Sequence, residues 1–254
     1  DTELLKEALE REPSNPHALF TLASRGDFPS SQRLAWAAQL HELQPENALA
    51  SYLIAKLNWE AGEIDSALES LDRAHQQTGF ESFTSESMMA VTDALRATGS
   101  SPGGAALYSS LTSEVPHLSE LLSLSRNLQE YWQEAPPGEA AILREQNAAL
   151  GARLTQGGES EFIISELAGL AIQNTAYEDL PQDAPLPRDG IDSQQLEQSI
   201  EQRRSEIREF YRPGPIELLR ASPDMIEGYA MRVHALGELE ALSWLRSHAQ
   251  PPGE

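Results

Sequence analysis

The sequence predicts an all-α fold, and three observations carry that reading. Apolar residues recur at helical spacing along nearly the whole chain. No four-to-eight-residue stretch alternates β-branched and polar residues between turn signals. Clusters of Pro, Gly, Asn and Asp, at positions such as Pro13 to Pro16, Gln44 to Asn47, Gly99 to Gly104 and Ala135 to Gly138, cut the chain into segments of helix length.

The N-terminal part has an internal repeat. Glu12-Pro13-Ser14-Asn15-Pro16-His17-Ala18-Leu19-Phe20 aligns with Gln44-Pro45-Glu46-Asn47-Ala48-Leu49-Ala50-Ser51-Tyr52, so Pro, Asn and an aromatic recur together from position 13 to 20 and again from 45 to 52. After the second copy, Ala55, Gly62, Ala67 and Ala74 supply small residues where two helices must approach closely, and Leu68 and Leu71 fill the space between them. His41 and His75 also stand at matching places. This pattern, clearest over residues 3–78, resembles the tetratricopeptide repeat (TPR), an antiparallel helix hairpin. The resemblance implies a TPR-like α-solenoid of antiparallel helix hairpins, irregular in the C-terminal two thirds. Four regions follow: a repeat region over 1–80, a helical region over 81–180 continuing the solenoid, a Pro/Asp-rich loop over 181–192, and C-terminal helices over 193–254. Gly228-Tyr229 and Leu236-Gly237-Glu238 to Ala241-Leu242 echo the earlier Gly62-Glu63 to Ala67-Leu68 passage.

Between these ends, helices are expected near 84–97, 105–113, 117–133, 139–156, 160–178 and 193–211. Pro116 suits the first turn of the third, whose Leu118, Leu121, Leu122, Leu128 and Trp132 fall near one face. Gly157-Gly158 would end the fourth through positive φ. The fifth, running from Phe162 through Ile163, Ile164, Leu167, Leu170 and Ile172, is apolar almost all round and is expected to be the most buried. Pro181, Pro185 and Pro187 keep 180–192 out of helix, and its polarity keeps it out of a core. Asp192 should start the next helix, with Gln195 as capping-box partner. The narrow stripe of Leu196, Ile200, Ile207 and Phe210 places that helix on a surface.

Composition narrows function mainly by exclusion. The chain has 254 residues, 40% of them hydrophobic, which is enough to build a core. Its net charge of −22 opposes binding to nucleic acid or anionic membranes, since both reward clustered cations. No run of about 18 apolar residues is present to cross a bilayer. The absence of cysteine removes disulfides, thiolate nucleophiles and Cys-ligated metals from consideration. A first residue of Asp1 in place of Met, together with the missing cysteine, points to a bacterial envelope protein or an otherwise anchored one.

No phosphate loop, dinucleotide fingerprint, H-E-x-x-H helix or G-x-S-x-G elbow occurs, and no cofactor is expected. The histidines have no i, i+3 or i, i+4 pairing suited to a metal. Glu178, Asp179, Asp183, Asp189 and Asp192 raise a calcium reading, but without EF-hand spacing they read as a solvated acidic loop.

The TPR resemblance implies a concave groove lined by the first helix of each hairpin. Carried over by alignment, Phe20 and Ser24 in the first copy and Tyr52, Lys56 and Trp59 in the second would face it, although Phe20 and Tyr52 also suit packing between hairpins. The expected function is a non-enzymatic scaffold or assembly module that holds a peptide or helix of another protein, with a basic or amphipathic segment favoured by the acidic charge. Two alternatives belong to other classes. One is a hydrolase or lyase on an α/α scaffold using an Asp/Glu acid-base pair near the 180–192 loop, which requires a deep pocket and a strongly perturbed carboxylate. The other is a structural homo-oligomer.

Overall fold

The computed structural model describes residues 2–112, 115–156, 162–181, 183–184, 186, 192–211 and 221–248. Their regular structure is α-helical: α1 (Thr2–Arg11), α2 (Pro16–Ser24), α3 (Ser30–Leu43), α4 (Ala48–Glu60), α5 (Ile64–Gln76), α6 (Thr84–Ala97), α7 (Pro102–Thr112), α8 (Pro116–Glu134), α9 (Pro137–Thr155), α10 (Ile163–Tyr177), α11 (Ser193–Tyr211), α12 (Pro223–Leu236) and α13 (Glu238–His248). Among the described residues there is no strand, only an isolated parallel bridge between Asn47 and Gly79.

The recurring asparagines start corresponding helices. Asn15 Oδ1 accepts from Ala18 N at 2.9 Å at the head of α2, and Asn47 Oδ1 accepts from Leu49 N at 3.2 Å at the head of α4. Each satisfies a backbone donor that the first helical turn leaves without an intrahelical partner. From these starts α2 packs on α3, α3 on α4, and α4 on α5. Ala55, Ala67 and Ala74 are buried between helices, and Gly62 makes the α4–α5 turn at φ +80°, a left-handed conformation that glycine adopts without a Cβ clash. Asn47 also ties down the chain beyond α5, donating from Nδ2 to Glu81 O and accepting from Glu81 N, each at 3.0 Å.

α4 is enclosed most thoroughly: every residue from Ala48 to Leu57 is buried. That corrects the expectation for α10, where Ile164 is exposed although Ile163, Leu170 and Ile172 are buried. The difference is positional. α4 receives α3, α5 and α8, whereas α10 leaves part of its circumference to solvent.

The helices that pack against α4 and α5 are α8 and α9, which return from later in the chain. α8 also contacts α2, and α9 then packs very closely on α10. A Cβ added to Gly151 would come within 2.6 Å of Gly169 O, and one added to Gly169 within 2.6 Å of Gly151 O. Only two glycines permit that approach. Arg153 near the end of α9 donates from Nη2 to Ala74 O at 3.2 Å, to His75 O at 3.3 Å and to Gln77 O, satisfying carbonyls at the C-terminal end of α5.

A second apolar cluster joins α10 to α11, α12 and α13 through Ile163, Leu170, Ile200, Ile207, Tyr229, Val233, Leu242 and Leu245. Asp192 and Gln195 form the expected reciprocal cap, with Asp192 N donating to Gln195 Oε1 and Gln195 N to Asp192 Oδ1. α7 starts at Pro102, before the expected position 105, because Ser101 Oγ accepts from Gly104 N and Pro102 suits the first turn. Gly103 then lets α7 meet α12, since a Cβ there would lie 2.5 Å from Pro223 O. Leu186, placed in a segment expected to stay outside any core, is only 8% exposed and packs with Ala148, Ala176 and Tyr177. Gly157 and Gly158 lie outside the described residues.

Candidate functional site

The face of α2 and α4 assigned to a partner is covered by α8 of the same chain. Phe20 is buried, its ring 5.6 Å from Phe83 and 5.7 Å from His117 at the start of α8. Ser24 is buried at the end of α2. Tyr52 is buried, with its ring 6.4 Å from Phe80. Trp59 is half-buried and meets Tyr131 of α8 edge-on, ring centroids 5.5 Å apart at 85°. Lys56 is only 4% exposed. Of the five residues expected to line an open groove, Phe20, Ser24, Tyr52 and Lys56 are therefore buried and Trp59 half-buried within the fold, Phe20 and Tyr52 against aromatic neighbours.

The filling helix is integral to the core. Leu118, Leu121, Leu124, Leu128 and Trp132 of α8 are all buried. At about 1.5–3 kcal/mol for each large apolar side chain removed from water, their burial is worth on the order of 10 kcal/mol.

Charge reinforces the closure. Glu120, 13% exposed on α8, lies 2.7 Å from Arg33 Nη2 through Oε1 and 3.4 Å from Lys56 Nζ through Oε2. Glu60 completes the group, 2.5 Å from Lys56 Nζ and 3.7 Å from Arg33 Nη1. Arg33 Nε donates to Ala23 O at 2.9 Å. Two cations and two carboxylates thus join α2, α3, α4 and α8, and mutual pairing offsets the desolvation that an isolated buried ion would suffer. The sequence singled out Lys56, but as a residue facing a partner, and it did not single out Arg33 or Glu120. Glu120 had a signal: it falls between His117 and Leu124 on the face that α8 buries.

A second polar contact lies at the start of α2. His17 Nε2 is 2.6 Å from Ser87 Oγ on α6, and its ring stacks on Phe83 at 6.1 Å. Burial lowers the His17 pKa below the usual value, against a smaller upward pull from the Glu86 carboxylate. Phe83 has φ +58°, an uncommon conformation for an aromatic residue, and its ring is fixed between His17 and Phe20.

Three of the acidic residues, Glu178, Asp179 and Asp192, are drawn into structural contacts, while Asp183 is exposed. The Arg144 guanidinium, hydrogen-bonded to Asp179 and 2.7 Å from its Oδ2 through Nη2, holds that carboxyl below its usual pKa. Glu178 accepts from Gln129 at 2.7 Å and Asn174 at 3.1 Å, while Asp192 belongs to its helix cap. Asp189 lies outside the described residues. Among the described residues no three His, Asp or Glu side chains converge as a metal site. The carboxyl whose pKa burial raises is Glu238, which accepts from Ile163 N at 3.2 Å and ties α13 to the first turn of α10.

The open surface lies elsewhere. A shallow depression of about 350 Å³ involves Lys6, Leu9, Leu22, Trp36 and Gln39 on α1, α2 and α3. The larger apolar exposure is on α6 and α7, where Met89, Val91, Tyr108 and Leu111 all face solvent. No described helix is long and apolar enough to cross a membrane. Comparison of the chain with protein-family models, with curated proteins and with solved structures gives no match.

Proposed function

We propose that this chain is a non-enzymatic protein-interaction module built on two TPR-like hairpins, α2–α3 and α4–α5. The buried Ala55, Ala67 and Ala74 and the left-handed Gly62 support the repeat assignment. Its partner-binding surface lies outside the trough, which α8 fills.

The direction of the cations carries the reading. Arg33, Lys56 and Arg144 are held by carboxylates within the fold, Arg153 by backbone carbonyls, and Arg232 lies over the Trp244 ring at 3.8 Å. In a chain with net charge −22, this inward use of cations leaves a surplus of acid facing outward. Such a surface attracts basic segments and repels acidic ones, while exposed apolar side chains provide contact area.

A peptide array spanning extended and amphipathic sequences of both charge signs tests the proposal. The expected result is retention of basic amphipathic sequences, released as salt rises. Retention no greater than on an acidic control protein of similar size would contradict it.

A further inference from the structure

We infer that the depression between α1, α2 and α3 is a docking pocket for one arginine side chain of a partner segment. The assignment rests on the interaction-module reading and gives that module an anchor point and an anchor chemistry.

The lining brings together three kinds of group. Leu9 of α1, Pro13 just after it and Leu22 of α2 supply apolar surface, Trp36 of α3 supplies an indole, and Glu10 and Gln39 supply oxygen acceptors. At about 350 Å³ the space is near the small end of ligand pockets, which run from about 300 to 1,000 Å³. It suits one long side chain with part of its neighbour and is too small for a docked helix.

Charge selects a cation. Of the carboxylates on α1 and the turn after it, Glu3 pairs with Lys6 at 3.1 Å, Glu7 with Arg11 at 2.6 Å, and Glu12 accepts from Asn15 at 3.1 Å. Glu10 is exposed and has no side-chain hydrogen bond or ion pair among the described residues, and it is the carboxylate that lines the depression. Lys6 also borders the space, but its ammonium is engaged by Glu3 and lies over the Phe28 ring at 5.3 Å. Gln39 Nε2 donates to Pro13 O at 2.8 Å, which ties α3 to the chain beyond α1 and fixes the amide's orientation, since two oxygens could not make that contact. Its Oε1 is left as a second acceptor.

The indole narrows the cation to arginine. This chain already lays guanidinium groups on tryptophan, with Arg232 3.8 Å from the Trp244 ring centre and Arg144 5.0 Å from that of Trp132. Trp36 has no such cover among the described residues. Its aromatic neighbour Phe28 meets it edge-on, centroids 4.9 Å apart at 83°, which covers less ring surface than stacking, and Trp36 stays half-buried. An entering arginine would rest its aliphatic stem on Leu9, Pro13 and Leu22 and its flat head on Trp36, with N–H donors for Glu10 and Gln39. Lysine lacks the planar fork that serves an aromatic face and two acceptors together. A second copy of this chain would bring another molecule of charge −22 to an acidic surface.

The test titrates the full chain, labelled with nitrogen-15, with acetyl-Ala-Leu-Arg-Leu-Ala-amide and with twins carrying citrulline or glutamate in place of the arginine. The arginine peptide should shift the Trp36 indole N–H signal, identified by its loss in Trp36→Phe. It should bind at least about tenfold more tightly than the citrulline twin, which keeps the shape without the charge. Glu10→Gln, at an exposed position, should weaken the arginine peptide by at least about fivefold and leave the citrulline peptide unchanged, with helix content retained. Lys6→Gln should leave arginine binding intact or tighten it. A preference for the glutamate peptide that Lys6→Gln abolishes would overturn the assignment in favour of a carboxylate occupant. Arginine binding insensitive to Glu10→Gln, or lost in Lys6→Gln, would overturn it as well. Self-association without peptide that disappears in Glu10→Gln would assign the pocket to a second copy and so overturn the partner reading. If array ligands are retained while none of the three peptides moves the Trp36 signal, the pocket alone falls; failure of both assays removes the module too.

Discussion

Glu120 of α8 lies 2.7 Å from Arg33 of α3, so a helix from the middle of the chain is tied to the N-terminal helices it packs against. The same carboxylate reaches Lys56 of α4 at 3.4 Å. Two of the cations of this acidic protein, Arg33 and Lys56, thus serve as interior connectors.

Removing one charge should leave the others only partly compensated. Glu120→Gln is expected to destabilise the fold by about 3 kcal/mol, read from urea unfolding, because both Arg33 and Lys56 lose a buried partner. Lys56→Met combined with Glu120→Gln should lose less than the sum of the single changes, because a cation and its carboxylate leave together. Additivity would contradict an energetically coupled network.

The α9–α10 contact should be intolerant of even one methyl group. Gly151→Ala places a Cβ 2.6 Å from Gly169 O and is expected to lower stability by about 1–3 kcal/mol. Gly138→Ala, where an added Cβ meets nothing within 4 Å, should be neutral or stabilising by a few tenths of a kcal/mol. Comparison of the two thermal midpoints separates close packing from general helix propensity.

His17 should make stability depend on pH. Its folded pKa is lowered by burial, so below the usual 6.5 the unfolded chain takes up a proton that the folded chain resists. Stability from this group is complete above about pH 6.5 and declines as pH falls through the window between the two pKa values. His41, also lowered by burial, acts in the same direction. The difference in urea midpoint between wild type and His17→Asn should shrink between pH 7.5 and 5.5; a difference independent of pH would oppose the burial effect.

Arg153 is expected to act as a clasp for the end of α5. Arg153→Ala should cost about 1–2 kcal/mol and hasten amide hydrogen exchange at the end of α5, because its guanidinium satisfies the carbonyls of Ala74, His75 and Gln77. Arg153→Lys should recover part of the stability, having the charge but not the planar donor fork.

Local rules made much of the helical order readable. Asn15 and Asn47 carried their own positional signal and proved to be equivalent helix caps, and Asp192 with Gln195 formed the anticipated reciprocal pair. The closure of the trough was not readable, because it depends on α8 meeting α2 and α4 across a long sequence separation. No periodicity within α8 specifies which helices its leucines will meet. Pro102-Gly103-Gly104 misled for a related reason: as a local pattern it reads as a break, whereas the approach of α12 makes Gly103 useful inside a helix. Leu186 had no periodic neighbours to reveal its burial, which arises from α9 and α10 beside it.

Amine labelling of the folded chain tests the closed trough most directly, because the sequence contains two lysines in contrasting settings. Lys6 is 43% exposed and Lys56 4%. Brief treatment with an acetylating ester, followed by peptide mass spectrometry, is expected to modify Lys6 readily and Lys56 more than about tenfold more slowly, with the difference lost in denaturant. Equal labelling of the two lysines in the native protein would show that α8 does not cover the trough.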